Sequence, residues 1–148
     1  MKRLLAGCAL TLGLLGAGGT ALADQVYHTE QIALAPVGGA PLRAGFVVNV
    51  HADGPQVFAL ERYALNGAAP GSYSVLLHVY ADAACTTPLV TLQTATLTTN
   101  AEGNGLAAAV IRPEMVEGLH GATLGAVWEL VSEQGTVYRT GCTTVTLD

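Results

Sequence analysis

Four histidines, eleven scattered acids and three cysteines are the residues of this chain with the types to do chemistry. His51 falls in an alternating run with Asn49, and His78 in another with Tyr80. Two imidazoles on the wetter faces of neighbouring strands would suit copper or zinc, with His28 or His120 as a third ligand. Asn49 and Tyr80 would stand beside them as polar binding groups. No H-x-H or H-x-x-H spacing strengthens that reading. Four solvated histidines with local hydrogen bonds are the plainer expectation, so no cofactor is expected and copper or zinc is the alternative.

Glu114, Glu117 and His120 recur at a spacing of three, close to one side of a helical turn. Gly118 should end that turn before His120, and acids favour the start of a helix electrostatically. Nucleophilic catalysis has little material. After the leader, only Ser72, Ser74 and Ser132 are serines, and none sits in a G-x-S-x-G elbow. Asp82 and Glu61 are of the right type for acid–base work, but no spacing brings them together. The run Asn100 to Gly105 lacks the alternating acids of a calcium loop, and its glycines suit positions of positive φ instead. The tyrosines Tyr27, Tyr63, Tyr73, Tyr80 and Tyr138 are read as core or sheet-edge packing. The chain is therefore not expected to be an enzyme.

The cysteines point to a compartment. Lys2 and Arg3, an apolar run from Leu4 to about Ala17, and Ala21-Leu22-Ala23 form an export signal with cleavage after Ala23. Leu5-Ala6-Gly7-Cys8 resembles a lipobox, but the apolar run continues well past Cys8, which favours cleavage over lipidation. Residues 24–148 then form one domain, with Cys85 and Cys142 left to pair in an oxidising, secreted or periplasmic setting. Loss of Lys2 leaves no lysine. Four arginines against eleven acids give the mature chain a net charge of −7. No basic stripe exists to release counterions from nucleic acid, so that partner is excluded. The leader is too short, and too rich in Gly and Ala, to serve as an integral membrane span of the mature protein.

The elements that must position these residues are strands. Short apolar or alternating runs are separated by Gly, Pro, Asn and Asp, and no long run has helical spacing. Gln25 to Ala35 is a first strand, interrupted by Pro36, which suits an edge or a strand that switches sheets. Phe46, Val48 and Val50 alternate with Val47, Asn49 and His51. Val57 to Leu65 has large apolar residues at both parities, so its phase stays open. Ser72 to Tyr80 places Tyr73, Val75, Leu77 and Val79 on a core face. In Val90 to Thr99, Leu92 and Leu97 are out of phase, which predicts a bulge near Thr94 or Ala95. Leu106 to Ile111 returns from a glycine hairpin, and one helical turn is expected between Pro113 and Gly118. Thr123 to Val131 directs Trp128 and Leu130 to the core. Thr136 to Leu147 closes the chain, with Gly141 hosting a bulge. About eight strands predict an all-β fold: an antiparallel β-sandwich, immunoglobulin or Greek-key-like, with one disulfide, or alternatively a small β-barrel.

Leu97-Thr-Thr-Asn-Ala-Glu-Gly-Asn-Gly105, a small-residue strand, then Ile111, Pro113, Val116, Glu117, Gly118 and Leu119 resemble small secreted domains of the chordin-repeat (CHRD) type. Those domains are themselves similar to the Cu/Zn superoxide dismutase sandwich. The resemblance spans about a quarter of the mature chain and implies a strand, a glycine hairpin, a strand and a short turn. The family's paired histidines are absent, with only His78 near their place, so no metal or catalytic residue is carried over. The expected role is a non-enzymatic exported protein that binds a partner or serves the envelope. A copper- or zinc-binding protein is the alternative.

Overall fold

A computed structural model of the chain describes residues 27–52, 59–115, 118–119 and 121–146, with the backbone alone for Tyr27, His28, His51, Ala52 and Pro113. The export signal, Glu117 and His120 lie outside the described residues. Nine strands follow in order: β1 (Tyr27–Val37), β2 (Ala44–Ala52), β3 (Ala59–Asn66), β4 (Gly71–Tyr80), β5 (Pro88–Thr99), β6 (Gly105–Ile111), β7 (Thr123–Ser132), β8 (Val137–Thr140) and β9 (Thr143–Thr146). A single 3₁₀ turn, Pro113–Met115, precedes β7.

All pairings are antiparallel, and the order β5-β4-β7-β8-β1-β2-β3-β6 runs almost fully round a barrel. β9 sits beside β7, below β8. The two arrangements open to the sequence, sandwich and barrel, therefore resolve toward the barrel. The hinge of that choice is β1. Its first part, Tyr27 to Ala33, pairs with β2, and its second, Leu34 to Val37, pairs with β8. One strand thus belongs to both halves of the sheet, and the gap a sandwich would leave there is closed. On the other side, β5 and β6 are joined by a tight hairpin, with Asn100 N–H bonding the Asn104 carbonyl at 3.0 Å. Gly103 is buried there at φ 75°, and a Cβ on it would meet the Ala68 carbonyl.

The side-chain periodicity of two fills the barrel. Tyr73, Val75, Leu77 and Val79 of β4 point inward, as their parity predicts, and meet Trp128 and Leu130 of β7, Leu97 of β5, Val47 of β2 and Tyr63 and Leu65 of β3. The interior is a packed core. Each large side chain fully buried in it contributes about 2–3 kcal/mol of transfer free energy. One end is tied by tyrosine hydroxyls. Tyr138 donates to the Pro41 carbonyl (2.8 Å) and accepts from Ala69 N–H (2.9 Å), and Tyr73 donates to the Ala69 carbonyl (2.6 Å).

One irregularity falls where the sequence places it, and at Gly141 a break with Cys142 exposed replaces the expected bulge. The β4–β5 register slips between Val75 and Leu76, leaving Thr94 unpaired as a bulge. The last strand breaks at Gly141 and Cys142 into β8 and β9, and the orphaned Trp128 N–H is taken by Thr140 Oγ1 at 3.1 Å. The Cys85–Cys142 disulfide spans that break and ties it to the loop after β4. Asp82 shapes this loop: its carboxylate accepts from the N–H groups of Ala84, Thr86 and Thr87 and from the Thr86 hydroxyl. These donors, the Thr86 N–H first, hold its pKa at about 2. Gly125 lets the loop lie flat on β7, since a Cβ there would stand 2.5 Å from the Asp82 carbonyl and 2.6 Å from Cys85 Sγ.

The bond closes a loop of 57 residues, so reduction or a Cys142→Ser substitution should cost about 4 kcal/mol on the chain-entropy model. Urea unfolding of oxidised and reduced protein measures this. A midpoint that does not move on reduction would show that the staple does not stabilise the barrel.

Candidate functional site

A buried glutamate is the most unusual feature of the interior. β3 resolves its ambiguous phase with the odd residues inward: Tyr63 and Leu65, and with them Glu61, only 1% exposed. The inward choice follows from the even set. Arg62 and Asn66 belong to it, and both are exposed. A guanidinium cannot be left unpaired in the core, whereas a carboxyl can be satisfied by neutral donors.

Those donors come from strands across the barrel. Trp128 Nε1–H of β7 donates to Glu61 Oε1 at 2.9 Å, and the Tyr63 hydroxyl donates to Oε2. The bulged Thr94 of β5 then supplies its hydroxyl to the Tyr63 oxygen at 2.7 Å. Slipping the register by one residue is what makes room for a β5 hydroxyl in this chain of bonds. Burial raises the pKa of Glu61, opposed by the Tyr63 and Trp128 hydrogen bonds. It likewise raises Tyr63, helped by the carboxyl beside it.

Asn49 completes the cluster. It lies directly opposite Glu61 in the β2–β3 ladder and is 3% exposed, and its Oδ1 has no hydrogen-bond partner. The wet-face expectation for Asn49 is therefore corrected. Val47 and Asn49 face the core, and Phe46, Val48 and Val50 form the half-buried outer face. Asn49 goes inward because pairing to β3 places it beside Glu61.

The register brings His28 and His51 opposite each other and leaves His78 elsewhere in the sheet. His78 lies on the outer face of β4, its Nδ1 2.9 Å from Thr91 Oγ1 and its Nε2 3.7 Å from Glu129 Oε1, with Arg139 Nε 3.8 Å from the other Glu129 oxygen. His51 lies in β2, paired by register with His28 and Ala59. β7, β8 and β1 separate β2 from β4 in the sheet, so His51 and His78 are not neighbours. Among the described residues, no three His, Cys, Asp or Glu side chains gather to hold a metal. Tyr80, at the end of β4, pairs with Gly125 and Pro88, far round the barrel from Asn49. Asp82 and Glu61 are likewise apart, one capping a surface loop and the other in the core.

Two features of the outer surface bear on binding. An open depression of about 340 Å³ lies over β4, with Ser72, Ser74 and Gln93 on its walls. On the opposite half, three cross-strand rows run over β2, β3 and β6: Phe46–Ala64–Leu106, Val48–Arg62–Ala108 and Val50–Leu60–Val110. Arg62 is the one polar residue among them. Leu106 is 82% exposed and Val110 51%. The outer face of β4 and β5 is more polar, with Ser72, Ser74, His78, Gln93, Thr96 and Thr98 beside Leu76 and the exposed Leu89.

No family model, no curated protein and no solved structure matches this chain. The buried cluster and the apolar face are thus read from the molecule itself.

Removing the carboxyl as Glu61→Ala would strand the Trp128 and Tyr63 donors and leave a cavity. A loss of about 3 kcal/mol or more is expected. Thr94→Val, which removes only the outer bond of the chain, should cost about 1 kcal/mol. Urea unfolding followed by Trp128 fluorescence ranks the two, and equal, negligible costs would show that the cluster contributes nothing.

Proposed function

We propose that the protein is an exported, non-enzymatic binding module, secreted or periplasmic after cleavage behind Ala23, and that it meets its partner with the outer face of β2, β3 and β6. The observation that carries this is the exposure of Leu106 and Val110 in otherwise apolar rows. Antiparallel sheets normally present a polar outer face to water, and a contiguous exposed apolar patch on a soluble domain marks an interaction surface. The core is already filled by Trp128, Tyr63, Tyr73 and Tyr138. Recognition accordingly belongs to the outside of the barrel. A packed apolar interior is also the reverse of an aqueous-lumen barrel in lipid, which is polar within.

An oxidising compartment fits the Cys85–Cys142 disulfide, and among the described residues no helix is long and apolar enough to cross a membrane. The partner surface should be apolar and tolerant of one guanidinium, since Arg62 stands in the middle row.

Photo-crosslinking in cells that produce and export the protein tests this reading. A photoreactive side chain at position 106 should give a discrete crosslinked product, one at position 96 on the polar face should not, and Leu106→Glu with Val110→Glu should abolish the product from a probe at position 108. Intact mass of the exported protein should correspond to a chain beginning at Asp24. Equal labelling at positions 96 and 106 would refute the assignment of the face.

A further inference from the structure

The buried cluster leaves one acceptor unpaired. Glu61 accepts from Trp128 and Tyr63, and Asn49 Oδ1, directly across the ladder and on the same interior face, accepts from nothing. Cross-strand partners place their Cβ atoms about 5 Å apart, within reach of one hydrogen bond between a glutamic acid and an asparagine amide. A buried acceptor with no donor is costly, and so is a desolvated carboxylate. One proton on the carboxyl removes both problems.

We propose that the barrel interior is a proton-binding site: folding takes up one proton onto Glu61, which donates it to Asn49 Oδ1 and fastens β3 to β2 from within. Among the described residues, the groups facing Glu61 offer no other source of charge balance. They are Asn49 from β2, Tyr63 from β3, Thr94 from β5, Ala109 from β6 and Trp128 from β7. Tyr63 is the only other titratable member, and it is an acid. Arg62, the adjacent cation, is exposed on the outer face. The direction of the Glu61 shift, upward through burial, agrees with a carboxyl that keeps its proton when folded.

The sign of the linkage follows. Unfolded, the carboxyl titrates near its ordinary 4.5. Above that pH the unfolded chain has released the proton and the folded chain still holds it, so the folded state binds more protons and stability falls as pH rises. The contribution is fully present below pH 4.5 and is lost as pH climbs through the raised folded value. Within that window the folding equilibrium constant drops about tenfold per pH unit from this one group. The device is a barrel that is tightest in acid and loosens along β2–β3 as the surroundings become alkaline, beside the apolar outer rows of the same strands.

The chain's single tryptophan is a reporter bonded to the site. Urea unfolding of the wild-type mature protein at a series of pH values from 4.5 upward, followed by Trp128 fluorescence, should be compared with Glu61→Gln, whose amide N–H supplies the same donor at every pH. The expected result is that the ratio of folding constants, Glu61→Gln over wild type, rises up to tenfold per pH unit. A ratio constant across the range would overturn the proposal. Asn49→Leu separates the bond from burial alone. Losing the acceptor flattens the wild-type pH dependence, whereas greater desolvation alone would steepen it. An unchanged or steeper slope would therefore remove Asn49 from the site. Should the variants fail to fold, isotope-edited infrared spectra of folded wild-type protein decide, since the protonated carboxyl stretch must persist above pH 4.5, where an ordinary glutamate has lost it, and its disappearance at that pH refutes the claim.

Discussion

A carboxyl held inside an apolar barrel is the constraint on which the rest of this structure depends. Glu61 stands on β3, and its partner indole stands on β7, across the core. A misplaced core leucine is an inexpensive error, because another apolar contact replaces the one lost. A misplaced buried carboxyl leaves Trp128, Tyr63 and Glu61 itself unsatisfied together. The polar node therefore specifies how one half of the barrel sits against the other, where hydrophobic burial alone would tolerate neighbouring registers. The break between β8 and β9 at Gly141, the Thr140 hydroxyl on the Trp128 amide and the bulge at Thr94 are the local departures from regular pairing that accommodate this node. The disulfide then fastens the broken strand next to Gly125.

The node also explains how a small barrel divides its labour. Its interior is committed to packing and to one polar network, and its ends are closed by tyrosine hydroxyls on Pro41 and Ala69 and by the Asp82-organised loop. Only the outside is left for recognition. There the two halves differ in chemistry: hydroxyls, amide and imidazole predominate over β4 and β5, and apolar rows around Arg62 over β2, β3 and β6. The strands whose inner faces carry Asn49 and Glu61 are the same strands whose outer faces carry the exposed rows.

What the chain states openly is what short-range rules govern. The parity of β4 is legible because Tyr73, Val75, Leu77 and Val79 share one face without conflict. The Thr94 bulge is legible because Leu92 and Leu97 cannot both point inward on a regular strand, and the glycine hairpin because Gly103 needs its positive φ. The cysteine pair is legible because Cys8 lies in the apolar leader-like run, which leaves Cys85 and Cys142 to pair. The barrel closure is not, because it depends on β1 changing partner between Ala33 and Leu34, a pairing between residues far apart in sequence. Glu61 is not, because both parities of its strand hold large apolar residues. Asn49 was expected outside, where an amide usually belongs. Its burial follows only from standing opposite Glu61. The separation of His51 from His78 is likewise a matter of strand order, which no local pattern records.

The central claim, that the Glu61 carboxyl holds Trp128 across the barrel, is tested most directly by the indole proton of the one tryptophan. In an ¹⁵N–¹H spectrum its Hε1 should resist exchange with solvent as long as the slowest core amides, and its shift should move in Glu61→Gln. An indole proton that exchanges freely while the neighbouring backbone amides stay protected would contradict the account.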